Sequence, residues 1–316
     1  MRIVFMGTPD FAVPSLHVLL EQGYDVVGVV TQPDRPKGRK RTLTPPPVKE
    51  EAMKRGLPVL QPERMRSEEA VAALAELKPD LIVTAAYGQI LPKAVLELPR
   101  FGCINVHGSL LPKYRGGAPI QRSIINGEKV TGVTIMYMAA GLDTGDMISR
   151  VEVPIADDDT SGTLFAKLSE AGAALLKETL PSIIGGTAKA EPQVEEDATY
   201  APNLTRDDER IDWSKTALQI YNQIRGLSPM AGAFTYLAGE VFKVWAASPH
   251  SSVKPNAAAA AGEVLQADSE GIAVQTGSGV LLLKEIQPAG KRAMAASEWL
   301  KGARLEAGVV FGGEPQ

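Results

Sequence analysis

Cysteine is nearly absent: Cys103 is the only one in 316 residues. A single thiol excludes an intrachain disulfide and any thiolate metal cluster held within one chain. Histidine is almost as scarce. His17, His107 and His250 lie far apart, which leaves little from which to build a zinc site, and no metal is expected. No apolar run is long enough to span a membrane, and the first, at 3–6, has strand length, too short for a signal-peptide core. A G-x-G-x-x-G is missing where Gly7-Thr8-Pro9-Asp10 follows the first apolar run, and no Gly-Lys-Ser/Thr occurs anywhere. Dinucleotide and P-loop phosphate binding are therefore disfavoured. Basic charge is not in excess, with a net charge of −4, so a generally cationic surface is excluded while a local basic site stays open. These exclusions leave a soluble cytoplasmic protein, long enough for two domains.

What is present begins with alternating strand and helix signals. Apolar runs at 3–6, 26–30, 58–60 and 81–86 read as strands, the last apolar throughout and so buried on both faces. Helical spacing falls between them at 13–22, 50–55 and 67–77. This order predicts an α/β fold with a Rossmann-like, doubly wound, mostly parallel sheet. A strand at 102–107, period-two segments at 131–138 and 147–153, and an Ala/Leu-rich helix at 161–180 complete an N-terminal domain of residues 1–188. The chain then turns polar and aperiodic, which predicts a linker over 189–207. One helix at 216–225 and short strands at 233–237, 241–245, 262–267, 271–275 and 279–283 predict a small β-barrel domain over 208–316.

The chemistry gathers at the end of the 102–107 strand. Asn105 and His107 alternate with Val106, so both side chains leave the same strand face. The run continues Gly108-Ser109-Leu110-Leu111-Pro112, and Asp143 follows within Gly141-Leu142-Asp143-Thr144-Gly145. Alone, His107 suits a structural histidine and Asp143 a turn cap. Together, an amide, an imidazole and a carboxylate suit a reaction that builds negative charge on a carbonyl oxygen while moving a proton. Ser109 lacks the G-x-S-x-G frame of a nucleophile elbow. A second feature is Arg35-Pro36-Lys37-Gly38-Arg39-Lys40-Arg41, closed by Pro45-Pro46-Pro47. It reads as a projecting loop, either solvated or placed to meet a polyanion.

Several longer blocks carry a resemblance. They are Thr31-Gln32-Pro33-Asp34-Arg35-Pro36, Ala86-Tyr87-Gly88-Gln89-Ile90-Leu91-Pro92, the Asn105 to Pro112 run, and Arg115-Gly116-Gly117-Ala118-Pro119-Ile120-Gln121-Arg122. In the second half Arg210-Ile211-Asp212-Trp213 and Gln287-Pro288-Ala289-Gly290-Lys291-Arg292-Ala293-Met294 extend it. The chain resembles the methionyl-tRNA formyltransferases over nearly its whole length. The Asn-x-His-x-Ser-Leu-Leu-Pro signature is common to folate-dependent formyltransferases. The resemblance implies formyl transfer from 10-formyltetrahydrofolate to the α-amine of initiator methionyl-tRNA by a monomer. It places catalysis on Asn105, His107 and Asp143, and the folate site on Ser109, Leu110, Leu111 and Pro112. Tyr87, Gly88, Gln89, Ile90 and Leu91 would line the pteridine pocket. Arg35, Lys37, Arg39, Lys40 and Arg41 would meet the tRNA acceptor end, and the second domain would be an OB-like tRNA-binding barrel. Where the family usually carries Trp-Pro, Met230 and Ala231 stand here; Met230 is expected to fill the same apolar space without the stacking contact.

Rival readings are weaker. Formyltransferases of nucleotide-linked amino sugars share the His107 to Gly116 run and a second domain but lack the basic stretch. A phosphoribosylglycinamide formyltransferase is a single domain. A non-catalytic RNA-binding protein leaves Asn105, His107 and Asp143 without a use.

Overall fold

The computed structural model describes residues 1–38, 41–249 and 252–313. The chain forms two compact units, and they do not divide at one place. The first comprises 1–119, 130–154 and 165–202; the second takes 120–129, 155–164 and the chain from 203 onward. The stretch 189–202, expected as part of a linker, belongs to the first unit.

In chain order the elements up to residue 184 are β1 (Arg2–Gly7), α1 (Val13–Glu21), β2 (Asp25–Val30), β3 (Arg35–Lys37), β4 (Thr42–Thr44), α2 (Pro47–Lys54) and β5 (Val59–Leu60). There follow α3 (Glu68–Glu76), β6 (Leu81–Ala85), α4 (Lys93–Leu96), β7 (Cys103–His107), α5 (Pro119–Ile125), β8 (Val130–Tyr137), β9 (Met147–Pro154) and α6 (Ser161–Ile184). The sheet order is β5-β2-β1-β6-β7-β8-β9. Its pairs from β5 to β7 are parallel, and β8 and β9 continue it antiparallel.

The chain works outward from β1 through β2 to β5, then returns to the other side of β1 with β6 and β7. The crevice beyond the carboxyl ends of β1 and β6 is thus the reversal point where such sheets bind ligands. Ile3, Val4, Phe5 and Met6 are fully buried, as is β6 through its apolar residues. On one face Val4, Met6, Val30, Leu74, Ile82, Leu91 and Val95 form one cluster. Leu74 reaches it because α3 starts where the Ser67 hydroxyl caps Ala70 N at 3.2 Å. Burying such a leucine is worth about 2 kcal/mol.

The second unit carries α7 (Arg206–Glu209), α8 (Ala217–Leu227), β10 (Ala233–Leu237), β11 (Glu240–Ser248), β12 (Val264–Asp268), β13 (Gly271–Gln275), β14 (Val280–Pro288), β15 (Met294–Ala295) and α9 (Ala296–Leu300). Its antiparallel sheet runs β10-β11-β14-β13-β12, with β15 on β14. The fold is OB-like, but no β10–β12 pairing closes a barrel among the described strands. A reciprocal cap between Thr216 and Gln219 starts α8, whose Ile220, Ile224 and Leu227 enter the core with Phe242, Val274 and Leu283. Trp213 stacks on Phe311 at 5.8 Å. Met230 is 67% exposed, so it does not fill the apolar space expected of it; the turn after α8 points it outward. No helix among the described residues is long and apolar enough to cross a membrane.

Candidate active site

Asn105 and His107 leave the carboxyl end of β7, where that strand is held between β6 and β8. Thr84 on β6 lies in register with Asn105, and its hydroxyl donates to Asn105 Oδ1 at 2.8 Å. That bond engages the amide oxygen and leaves the NH2 group as the donor end of the side chain. Thr134 on β8 lies opposite His107. Its hydroxyl donates to Ser109 O at 2.7 Å and accepts from Leu111 N at 3.1 Å, which fixes the turn that follows.

His107 is 6% exposed. Its Nε2 lies 3.1 Å from Tyr114 O, and a carbonyl only accepts, so Nε2 carries the proton. Nδ1 is therefore the nitrogen free to gain or lose one. It faces Asp143 Oδ2 at 3.7 Å, too far for a hydrogen bond but within electrostatic reach. The carboxylate is held in place by Gly116 N, which donates to Oδ2 at 2.8 Å. Gly116 has φ 121° and lies against Ala201 O, where a Cβ would come within 2.7 Å, so no larger residue fits. Asp143 itself has φ 51°, the left-handed region that Asp tolerates better than most residues.

The supposed linker closes this arrangement. Glu191 pairs with Met147, Gln193 Nε2 donates to Asp143 O at 2.7 Å and to Gly145 O at 2.8 Å, and Glu195 meets Arg115 Nη1 at 2.9 Å. Thr199 Oγ1 accepts from Tyr114 N at 2.9 Å, and Thr199 O from Arg115 N at 2.8 Å. Residues 191–201 are thus a strap across both loops that position the triple.

Near the β1–β6 reversal, Thr8 Oγ1 donates to Tyr87 O at 2.9 Å and accepts from Gln32 N at 3.2 Å, so the loops after β1, β2 and β6 are tied at one point. Gln89 is pinned beneath: its Oε1 accepts from Met65 N at 2.7 Å. Ile90 projects at 83% exposure, whereas Tyr87 and Leu91 are buried in the core. Burial pushes the Tyr87 phenol up to about 12. Ser109 is fully buried, with its hydroxyl donated to Lys113 O at 2.7 Å; Leu111 is buried beside it, and Leu110 and Pro112 are half-buried.

The basic stretch is not a loop but a hairpin, β3 on β4, in which Arg35 pairs with Thr44, Pro36 with Leu43 and Lys37 with Thr42. Arg35, Lys37 and Arg41 are exposed. Arg39 and Lys40 fall outside the described residues, as does His250. His17 pairs with Glu51 at 2.8 Å, both half-buried. No group of three or more His, Cys, Asp or Glu among the described residues is placed to hold a metal.

Residues 1–180 match the formyl transferase family, and residues 203–304 match the formyl transferase C-terminal domain. Methionyl-tRNA formyltransferase of Bacillus subtilis (strain 168) is 58% identical over 312 residues, which cover 98% of each chain. The chain belongs to the methionyl-tRNA formyltransferase family. A second such relative, from Halalkalibacterium halodurans, is 56% identical over 99% of each chain. Among solved structures, an N-formyltransferase from Helicobacter canadensis, in complex with folinic acid and dTDP-3-aminofucose, aligns at TM-score 0.65. It is 21% identical over 91% of this chain and 99% of its own. Methionyl-tRNA formyltransferase from Clostridium thermocellum aligns at TM-score 0.56 and 19% identity over 78% of this chain and 93% of its own. At such identities the likeness speaks for the fold.

Within this formyltransferase, sequence reasoning overlooked the residues that hold the triple: Thr84, Thr134, Tyr114, Gly116 and Gln193. The two threonines had a signal, since each interrupts a buried apolar strand beside a site residue. Tyr114 and Gly116 act through backbone atoms, which residue type does not announce. Gln193 sat in a polar stretch that reads as solvent-exposed.

Proposed function

We propose that the chain transfers the formyl group of 10-formyltetrahydrofolate to the α-amine of methionine on initiator tRNA, as a cytoplasmic monomer that needs no metal. The observation that carries this reading is the 58% identity to a methionyl-tRNA formyltransferase along 98% of the chain. The neutral amine attacks the formyl carbon and leaves an oxyanion. The Asn105 amide NH2 and a protonated Nδ1 of His107 donate to that oxygen, each such preorganised donor being worth on the order of 3 kcal/mol. The Asp143 carboxylate stabilises the imidazolium and, through water, carries the amine proton to folate N10 as the formyl–N10 bond breaks. No enzyme nucleophile takes part.

The donor would lie along the exposed surface of Gly88 and Ile90 and the half-buried Leu110 and Pro112. Gln89, Tyr87, Leu91, Ser109 and Leu111 support that surface from beneath. The hairpin, with Arg35, Lys37 and Arg41 and the intervening Arg39 and Lys40, would meet the phosphates of the acceptor end. The OB-like unit would hold the body of the tRNA.

Incubation with labelled formyl donor and either initiator methionyl-tRNA or a nucleotide-linked amino sugar tests the reading. Label should enter the tRNA-linked methionine alone. Comparable kcat/KM on the amino sugar would overturn it.

A further inference from the structure

We propose that Gln193 is a positioning residue for formyl transfer: it holds the Asp143 loop in the one arrangement that brings its carboxylate to His107. The inference rests on the function proposed above and asks what keeps the 3.7 Å between Asp143 Oδ2 and His107 Nδ1 constant.

Asp143 stands in the connection between β8 and β9, outside the sheet pairing, in a left-handed conformation. In that conformation the carbonyls of Asp143 and Gly145 both reach the same amide. Gln193 Nε2 has two protons and supplies one to each carbonyl, at 2.7 and 2.8 Å. On its other side the loop approaches β8 closely, since a Cβ at Gly145 would collide with Tyr137 O.

The direction in which the Gln193 amide faces is set in turn by Arg115. Its Nε donates to Gln193 Oε1 at 3.0 Å, and its Nη1 donates to the Glu195 carboxylate at 2.9 and 3.2 Å. Turned over, the amide would set oxygen against two carbonyls and NH2 against a guanidinium. Arg115 is 1% exposed, so this orientation is enforced inside the protein rather than at its surface. The residues on either side of Arg115 complete the device. Tyr114 O accepts the hydrogen bond of His107 Nε2, and Gly116 N donates to the Asp143 carboxylate. Both members of the His107–Asp143 pair are therefore referenced to 114–116, and Gln193 adds the contact that fixes the Asp143 backbone.

The test measures kcat and KM for both substrates, with melting temperature, for Gln193→Ala and Gln193→Glu. The glutamate keeps the size and the Arg115 contact but removes both N–H donors. Each variant should lose kcat on the order of ten- to a hundredfold, as misplacement by about 1 Å does, with KM for folate and tRNA little changed. Melting temperature should stay within about 5 °C. In an Asp143→Ala background the Gln193 substitutions should cost nothing further, since residues acting through one group are not additive. Wild-type kcat in Gln193→Glu, a loss that multiplies with that of Asp143→Ala, or failure of both variants to fold would overturn the proposal. An inactive wild type on methionyl-tRNA would instead strike the functional reading beneath it.

Discussion

The two units each bury an arginine, and they use it differently. Arg115, in the first unit, bonds side chains of the strap, Gln193 and Glu195. Burial works against its charge, but its hydrogen bonds to Glu195 and Tyr200 outweigh it and leave the guanidinium pKa raised. Arg225, in the second unit, is 5% exposed and bonds Asn222 Oδ1 at 2.9 Å with the carbonyls of Asp159 and Ala156 at 2.9 and 3.2 Å. With no carboxylate hydrogen-bonded to it among these contacts, burial prevails and lowers its pKa. A cation bonded to carbonyls staples one stretch of main chain to a helix. A cation bonded to side chains passes order onward, here through Gln193 to the loop that carries Asp143.

The largest effect belongs to Asn105 and His107 rather than to Arg115. Asn105→Ala and His107→Ala should each lower kcat by about a hundredfold or more, with folate binding largely kept, if both are the transition-state donors proposed above. Near-normal turnover of both, in single-turnover formylation assays, would dissolve the distinction between site and staple. Next come the arginines themselves. Arg115→Met should lower kcat by on the order of tenfold as the Asp143 loop loosens. Arg225→Met should leave turnover per folded molecule within about twofold, yet cost about 2–3 kcal/mol in denaturant unfolding, because carbonyls are left buried and unpaired. Matching losses in either measurement would break the comparison.

The smallest effect concerns exposed cations. Replacing Arg35, Lys37 and Arg41 together by alanine should raise KM for tRNA, leave kcat nearly intact, and flatten the salt dependence by roughly two to three units of slope. An unchanged slope would remove the hairpin from the nucleic-acid interface.

How much of this was legible depended on what each segment hides from water. β1, β6 and β7 announce themselves because strands buried on both faces must be apolar throughout. Asn105 and His107 stood out for the same reason, as polar residues closing such a strand. The β3–β4 hairpin did not, since two exposed three-residue strands carry no alternation and the basic residues and prolines disguise them. The strap was misread as a linker because its work is done by amide and carboxylate side chains on loop carbonyls, a pattern that sequence periodicity cannot register. Met230 was misplaced for the opposite reason: hydrophobic character alone does not say which way a turn will point it. Only the fold decides that.

Sequence families cut this chain once, between residues 180 and 203, whereas its units exchange segments at 119, 129, 154 and 164 as well. A cut after residue 202 would therefore not deliver the second unit whole. A graft that moved only the chain from 203 onward would leave 120–129 and 155–164 behind with a foreign partner. The chain from 203 onward is thus not a module that one exchange could trade, because its unit also draws on 120–129 and 155–164.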